Sequence, residues 1–191
     1  MNFFIFHGIY GHPQENWFPW LKKELESRGF EVIVPKFPTP INQTRESWLR
    51  VILKYEERMN NETVLIGHSL GAAFILDYLE QTNKKIKAAF LVAGYHKLIN
   101  NEFDELNKTF VGREFNWEKI KGNCGKFFVI ASDNDPYIPL GINEELAEIL
   151  DGELIVVHKG GHLNKKAGFD QFPQLLEIIN QTTTLKNNKK F

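Results

Sequence analysis

The sequence predicts an α/β fold, a three-layer α/β/α sandwich on a mostly parallel six-stranded sheet. Three observations carry this. Six short apolar runs recur along the 191 residues, the segments between them repeat apolar residues at helical spacing, and the two kinds of segment alternate. Continuous runs such as Phe127-Phe128-Val129-Ile130 suit strands covered on both faces, as parallel strands are. Regular β–α alternation argues for an open, doubly wound sheet.

Taken in order, the first strand is expected at residues 2–6, and Phe18, Leu21 and Leu25 mark a short helix after it. A strand at 31–34 runs into Pro35-Lys36-Phe37-Pro38-Thr39-Pro40, which must be a loop because proline denies it ladder donors. Trp48, Val51, Ile52 and Tyr55 fall at i, i+3, i+4 and i+7, the stripe of a helix packed on a sheet. The strand at 62–66 is followed by a helix with Ala72, Ile75, Leu76 and Leu79 on one face. After a strand at 86–92, residues 94–122 carry Phe103, Phe110, Phe115 and Trp117 without a strand pattern and read as a short helical excursion over the sheet edge. Strands at 126–131 and 153–157 flank a helix marked by Ile142, Leu146 and Ile149, and Phe172, Leu175, Leu176 and Ile179 mark the last helix. Residues 1–180 are therefore expected to form one domain, and 181–191 a polar, basic, frayed tail.

Composition narrows the function. Hydrophobic residues make up 42% and charged residues 25%, and the formal net charge is −1, so nothing points to nucleic acid or an anionic membrane. No stretch approaches the roughly 20 apolar residues of a membrane span, and the amino terminus lacks the basic start of a signal peptide. The lone cysteine, Cys124, excludes an intrachain disulfide and a multi-cysteine metal site. A cytoplasmic protein with no metal and no cofactor is the expectation, and no dinucleotide or phosphate-loop motif speaks against it.

The chemistry starts at Gly67-His68-Ser69-Leu70-Gly71, a G-x-S-x-G pentapeptide between an apolar run and a helical one. Strand, sharp turn and helix are the context of a nucleophile elbow, with the serine hydroxyl exposed at the turn. Alone the pattern is weak, since about one chain in fifteen of this length would carry it by chance. Its setting strengthens it. Functional groups of open α/β sheets gather beyond the carboxyl ends of the strands. There the chain places His7-Gly8-Ile9, then Ser69, then Ser132-Asp133-Asn134-Asp135, then His158-Lys159-Gly160-Gly161-His162. Serine, acid and histidine thus appear in the order found in α/β-hydrolases.

Each group has a task. A serine hydroxyl needs a neighbouring base, assigned to His162, and a carboxylate must hold the imidazole tautomer. Asp133 and Asp135 both qualify; Asp135 is preferred because Asp-x-x-Ile-Pro is the usual setting of the hydrolase acid, and Asp133 is the alternative. The oxyanion needs preorganised donors, assigned to the backbone N–H groups of Leu70 and Ile9, with Tyr10 in reserve for Ile9. His158 is the rival base, His68 is expected to pack or support, and His7 to bond within its own loop. Trp17, Trp20, Tyr95, Phe115 and Trp117 are core candidates, and those over the strand ends are candidates to wall an apolar acyl pocket.

These motifs resemble those of the small serine hydrolases of the α/β-hydrolase superfamily, the retinoblastoma-binding hydrolase and YdeN-like family. The resemblance rests on His7-Gly8, Asn16-Trp17-Phe18-Pro19-Trp20-Leu21, Pro35-Lys36-Phe37-Pro38, Trp48, the elbow, Ser132-Asp133-Asn134-Asp135-Pro136 and Gly160-Gly161-His162, and runs to about residue 180. It implies a compact α/β-hydrolase fold without a large lid domain, a triad on Ser69, Asp135 and His162, and esterase-like activity on small acyl esters. A retinoblastoma-protein partner does not carry over, because Cys124 lacks the neighbours of an L-x-C-x-E peptide. The expected protein is a carboxylesterase-like serine hydrolase acting on a small-molecule acyl substrate. The alternatives are a thioesterase or acyltransferase, and a binding or regulatory protein on a hydrolase scaffold with weak catalysis.

Overall fold

In the computed structural model, which describes residues 1–183, six strands form one sheet in the order β2-β1-β3-β4-β5-β6. They are β1 (Asn2–Phe6), β2 (Glu31–Ile33), β3 (Thr63–His68), β4 (Ala88–Val92), β5 (Phe127–Ser132) and β6 (Glu153–Val157). Every adjacent pair is parallel. The helices are α1 (Phe18–Glu26), α2 (Arg45–Ile52), α3 (Leu70–Gln81), α4 (Asp104–Val111), α5 (Trp117–Asn123), α6 (Leu140–Ile149) and α7 (Pro173–Thr183). Helix α7 thus reaches three residues into the segment read as a tail; the rest of that segment, 184–191, lies outside the described residues.

Alternate residues of the central strands feed two separate cores. Phe3, Ile5, Val64, Ile66, Phe90 and Ile130 pack under α1 and α7, against Trp17, Phe18, Leu21, Leu175 and Ile179. Phe4, Phe6, Leu65, Leu91 and Val129 pack under the five other helices, against Trp48, Phe74, Phe110, Ile120 and Leu146. This is the period-two division of a strand applied to a sheet covered on both sides. Each large apolar side chain fully buried in this way contributes about 1.5–3 kcal/mol. The edge strand β6 departs from the pattern. Its apolar run is only partly covered, with Val156 42% exposed, because a strand at the edge has a partner on one side only.

The segment 94–122 is a pair of helices, α4 and α5, packed on α3 rather than over the sheet edge. A polar cluster ties it down. Asp77 of α3 is buried and accepts from Arg45 Nε at 2.7 Å and from Arg113; Arg113 also donates to Glu80 at 2.5 Å and lies over the Phe115 ring. Burial pushes the Asp77 carboxyl up to about 6 against the pull of the two guanidinium groups.

Register decides what meets at the carboxyl ends. Phe6 pairs with Gly67, so the loop after β1 and the elbow after β3 emerge side by side. Ser132 pairs with Val157, so the aspartates after β5 face the histidines after β6.

Candidate active site

Ser69 sits between β3 and α3 with φ 55° and ψ −122°, a region non-glycine residues rarely occupy, held at a cost of about 1–3 kcal/mol. The turn is tight enough to demand its glycines. A Cβ on Gly67 would lie 2.5 Å from Gly71 O, and one on Gly71 would lie 2.3 Å from Phe6 O. The strand, the helix and the loop after β1 are therefore in backbone contact around the serine. Ser69 itself is half-buried and open to a cleft.

Of the two candidate acids, Asp135 is the one that meets His162. Its Oδ2 accepts from His162 Nδ1 at 2.8 Å, while Oδ1 accepts from the backbone N–H of Tyr137 and Ile138 at 2.8 and 3.1 Å. Both side chains are buried, at 2% and 10% exposure. An ionised carboxylate only accepts, so the proton lies on Nδ1 and the Nε2 lone pair is free to act as a base. Asp133 is engaged elsewhere. It takes His158 Nδ1 at 2.5 Å and the Lys159 N–H at 2.7 Å, outside the cleft, and these bonds hold its carboxyl below the usual range. His158 is the partner of that outer pair and stands away from Ser69 in solvent.

Ser69 and His162 line one cavity of about 180 Å³. Among the described hydrogen bonds none engages the Ser69 hydroxyl; in unliganded sites the serine–histidine bond is often long and tightens with substrate. The backbone N–H groups of Ile9 and Leu70 also have no protein acceptor among the described residues. Gly8 brings the first of these to the serine, since a Cβ there would lie 3.0 Å from Ser69 Cβ. The reserve donor is spent, because the Tyr10 N–H bonds Thr39 Oγ1 at 2.8 Å.

His7 bonds within its own loop through Nδ1, as expected, and also ties that loop to the one after β2. Its Nε2 accepts from the Phe37 N–H at 3.0 Å, which puts the proton on Nδ1, bonded to Gly8 O at 2.9 Å. Burial lowers its pKa to about 4 and keeps it neutral. His68, at the end of β3, bonds His162 O through Nε2 at 2.9 Å and packs on Trp17 and Phe18. Burial, then the nearby His162, lowers it to about 3.

Three supports of the His162 loop were not given that role by sequence. Trp17 Nε1 donates to Leu163 O at 3.0 Å, Asn16 Oδ1 accepts from Lys165 N at 3.0 Å, and Asn134 Oδ1 accepts from Gly161 N at 2.8 Å. Asn16 and Trp17 belong to a segment picked out as a motif, which was the available signal for them. The cavity wall is largely aromatic and aliphatic, with Tyr95, Ile99, Phe103, Tyr137 and Ile138. Of the core candidates, Trp17 and Phe115 are buried away from this wall and Tyr95 forms part of it. Cys124 is buried far from this chemistry, in a strand-end bridge, and burial pushes its thiol up to about 12. Among the described residues, no three His, Cys, Asp or Glu side chains gather as a metal site, and no helix is long and apolar enough to cross a membrane.

A parallel sheet with a serine elbow and a buried Asp–His pair beyond its strand ends has the architecture of the α/β-hydrolases, and among the described residues the insertion after β4 is only the short α4–α5 pair, with no lid domain. The chain belongs to the serine hydrolase family, whose description matches residues 3–181. It is 31% identical over 178 residues to the hydrolase YdeN of Bacillus subtilis (strain 168), covering 92% of this chain and 93% of that one. It is 30% identical over 169 residues to the serine hydrolase RBBP9 of Rattus norvegicus, covering 88% and 87%. The crystal structure of the B. subtilis ydeN gene product superposes with a TM-score of 0.90 at 29% identity, over 96% of this chain and 98% of that one.

Proposed function

We propose that the protein is a carboxylesterase-like serine hydrolase that cleaves small acyl esters through a Ser69–His162–Asp135 triad. The observation that carries this is the buried Asp135–His162 pair at 2.8 Å, opening on the same cavity as the elbow serine. In this reading His162 Nε2 takes the Ser69 proton as Oγ attacks the acyl carbonyl. Asp135 holds the Nδ1 proton in place and stabilises the imidazolium that forms. The tetrahedral oxyanion is received by the N–H groups of Ile9 and Leu70, the latter on the first turn of α3, where the helix dipole adds to the hydrogen bond. Collapse breaks the ester C–O bond, and the leaving alcohol takes its proton from His162. Water then attacks the acyl-Ser69 ester by the same path in reverse, releasing the acid and restoring the serine.

A cavity of about 180 Å³ lies below the roughly 300–1,000 Å³ of sites for drug-sized ligands, which supports a short acyl group. A cytoplasmic setting fits the same reading, since the one thiol, buried at Cys124, needs no oxidising compartment. The test is turnover of p-nitrophenyl acetate and butyrate by wild type and Ser69→Ala. Wild type is expected to release p-nitrophenol and the variant none above background, with unchanged circular dichroism. Comparable rates for the two would refute the reading.

A further inference from the structure

The reacting groups open on two clefts of different character. One is the largely apolar cavity walled by Tyr95, Phe103 and Tyr137, whose lining includes no Lys, Arg, Asp or Glu. The other, about 150 Å³, lies between the loop after β1 and the His162 loop, shares Ile9, Ser69, His162 and Asn164 with the first, and is lined in addition by Gly8, Glu15, Asn16 and His68. Glu15 is the one carboxylate in its lining.

That carboxylate is half-buried. The titratable side chain bearing on it is the exposed His12 imidazole, whose Nδ1 accepts from the Gln14 N–H at 3.2 Å and carries no proton there, and no lysine or arginine among the described residues pairs with it. Its position follows from a glycine: a Cβ on Gly11 would lie 2.5 Å from Glu15 Oε1 and 3.0 Å from His7 Nδ1, so only glycine lets the carboxylate fold back over the oxyanion-side loop. Backbone bonds from Glu15 N to His12 O and from Phe18 N to Glu15 O hold the turn that carries it. A carboxylate partly stripped of water without a cation beside it is a group that an arriving cation stabilises.

We propose that Glu15 recognises a cationic group, an ammonium, on the substrate, so that the enzyme prefers esters with an apolar part for the first cleft and a positive charge for the second. This rests on the esterase reading and adds a substrate class to it. The ammonium could stand on the acyl side or on the alcohol side of the scissile bond.

Two matched pairs of substrates separate these sources: glycine against propionic p-nitrophenyl ester for the acyl side, and acetylcholine against 3,3-dimethylbutyl acetate for the alcohol side. In each pair the members are close in shape and differ in charge. The readout is the ratio of kcat/KM, cationic over neutral, in wild type and in Glu15→Gln, which keeps the side chain's length and one acceptor oxygen while removing the charge. In at least one pair the substitution is expected to lower the ratio, about tenfold to a hundredfold for the glycine ester, whose ammonium can donate a hydrogen bond to the carboxylate, and by less for acetylcholine, whose quaternary ammonium has no N–H and is held by charge alone. Ratios unchanged by Glu15→Gln in both pairs would overturn the proposal. That result would leave the esterase reading intact, provided the neutral esters are still turned over in a Ser69-dependent way.

Discussion

Asp133 and Asp135 leave the end of β5 together, His158 and His162 leave the end of β6 together, and each aspartate meets one histidine, at 2.5 and 2.8 Å. By distance the two pairs are alike. By surroundings they are opposites: His158 is 76% exposed and its partner a third exposed, whereas His162 and Asp135 are both buried. The inner carboxylate is also aimed by the N–H groups of Tyr137 and Ile138, and the inner imidazole shares its cavity with Ser69. Proximity of acid and base is therefore not the distinguishing property. A dyad useful to a nucleophile is one that is dry, aimed and placed over it.

The sharpest way to break this comparison is to unmake each acid in turn. Asp135→Asn should lower kcat for p-nitrophenyl acetate by about 10⁴, because the asparagine amide no longer enforces the productive tautomer of His162. The fold should survive, since the asparagine oxygen can still accept from Tyr137 and Ile138. A loss under tenfold would place the acid elsewhere.

Buried imidazoles should also show in stability. His7 and His68 have folded-state pKa values lowered to about 4 and about 3. The native state therefore binds fewer protons than the unfolded chain below about pH 6.5, so stability present above that pH is lost as the solution is acidified toward pH 4 and then pH 3. The slope should approach about 1.4 kcal/mol per pH unit for each histidine within its window. Urea midpoints measured from pH 7.5 to 4 should fall accordingly, and a flat profile would contradict the assignment of two buried neutral imidazoles.

A smaller effect is expected where the inner loop is merely held. Trp17→Phe keeps an aromatic ring, though a smaller one, but strips the donor from Leu163 O, leaving a carbonyl in the buried loop unpaired at a cost of about 1–3 kcal/mol. Loosening the residue next to His162 should lower kcat about tenfold through misplacement of the base. An unchanged kcat would show that the loop is held without this bond. Least of all, Asp133→Asn and His158→Gln should each leave kcat within about twofold, as exposed pairs contribute little; a larger loss would erase the distinction between the two pairs.

The strands were legible because each is a short apolar run ended by turn residues, and all six fall within two residues of where the pattern puts them. The elbow was legible because its glycines are forced by backbone contact, which no other residue type can satisfy. What spacing left open was the choice of acid: Asp133 and Asp135 have the same loop and the same chemistry, and what separates them is which histidine each meets, together with burial and the N–H donors of Tyr137 and Ile138. The helical character of 94–122 was legible, but not its division into α4 and α5 or its seat on α3, because its aromatic residues are not spaced as one stripe and the pair is anchored through Arg113 to charges on α3. Trp17, Asn16 and Asn134 act on the site through backbone groups of a loop far along the chain or across the sheet, a kind of contact that leaves no periodic trace. Glu15 had no sequence signal; its interest arises only when the turn brings it beside Ser69 and His162.

The proposal at stake is activation of Ser69 by the inner pair alone. It is tested most directly by reacting wild type, Asp135→Asn and Asp133→Asn with a fluorophosphonate probe and mapping the adduct by peptide mass spectrometry. A single adduct on Ser69 is expected, formed as fast in Asp133→Asn as in wild type and slowed by orders of magnitude in Asp135→Asn. An adduct elsewhere, or equal slowing in the two variants, would contradict it.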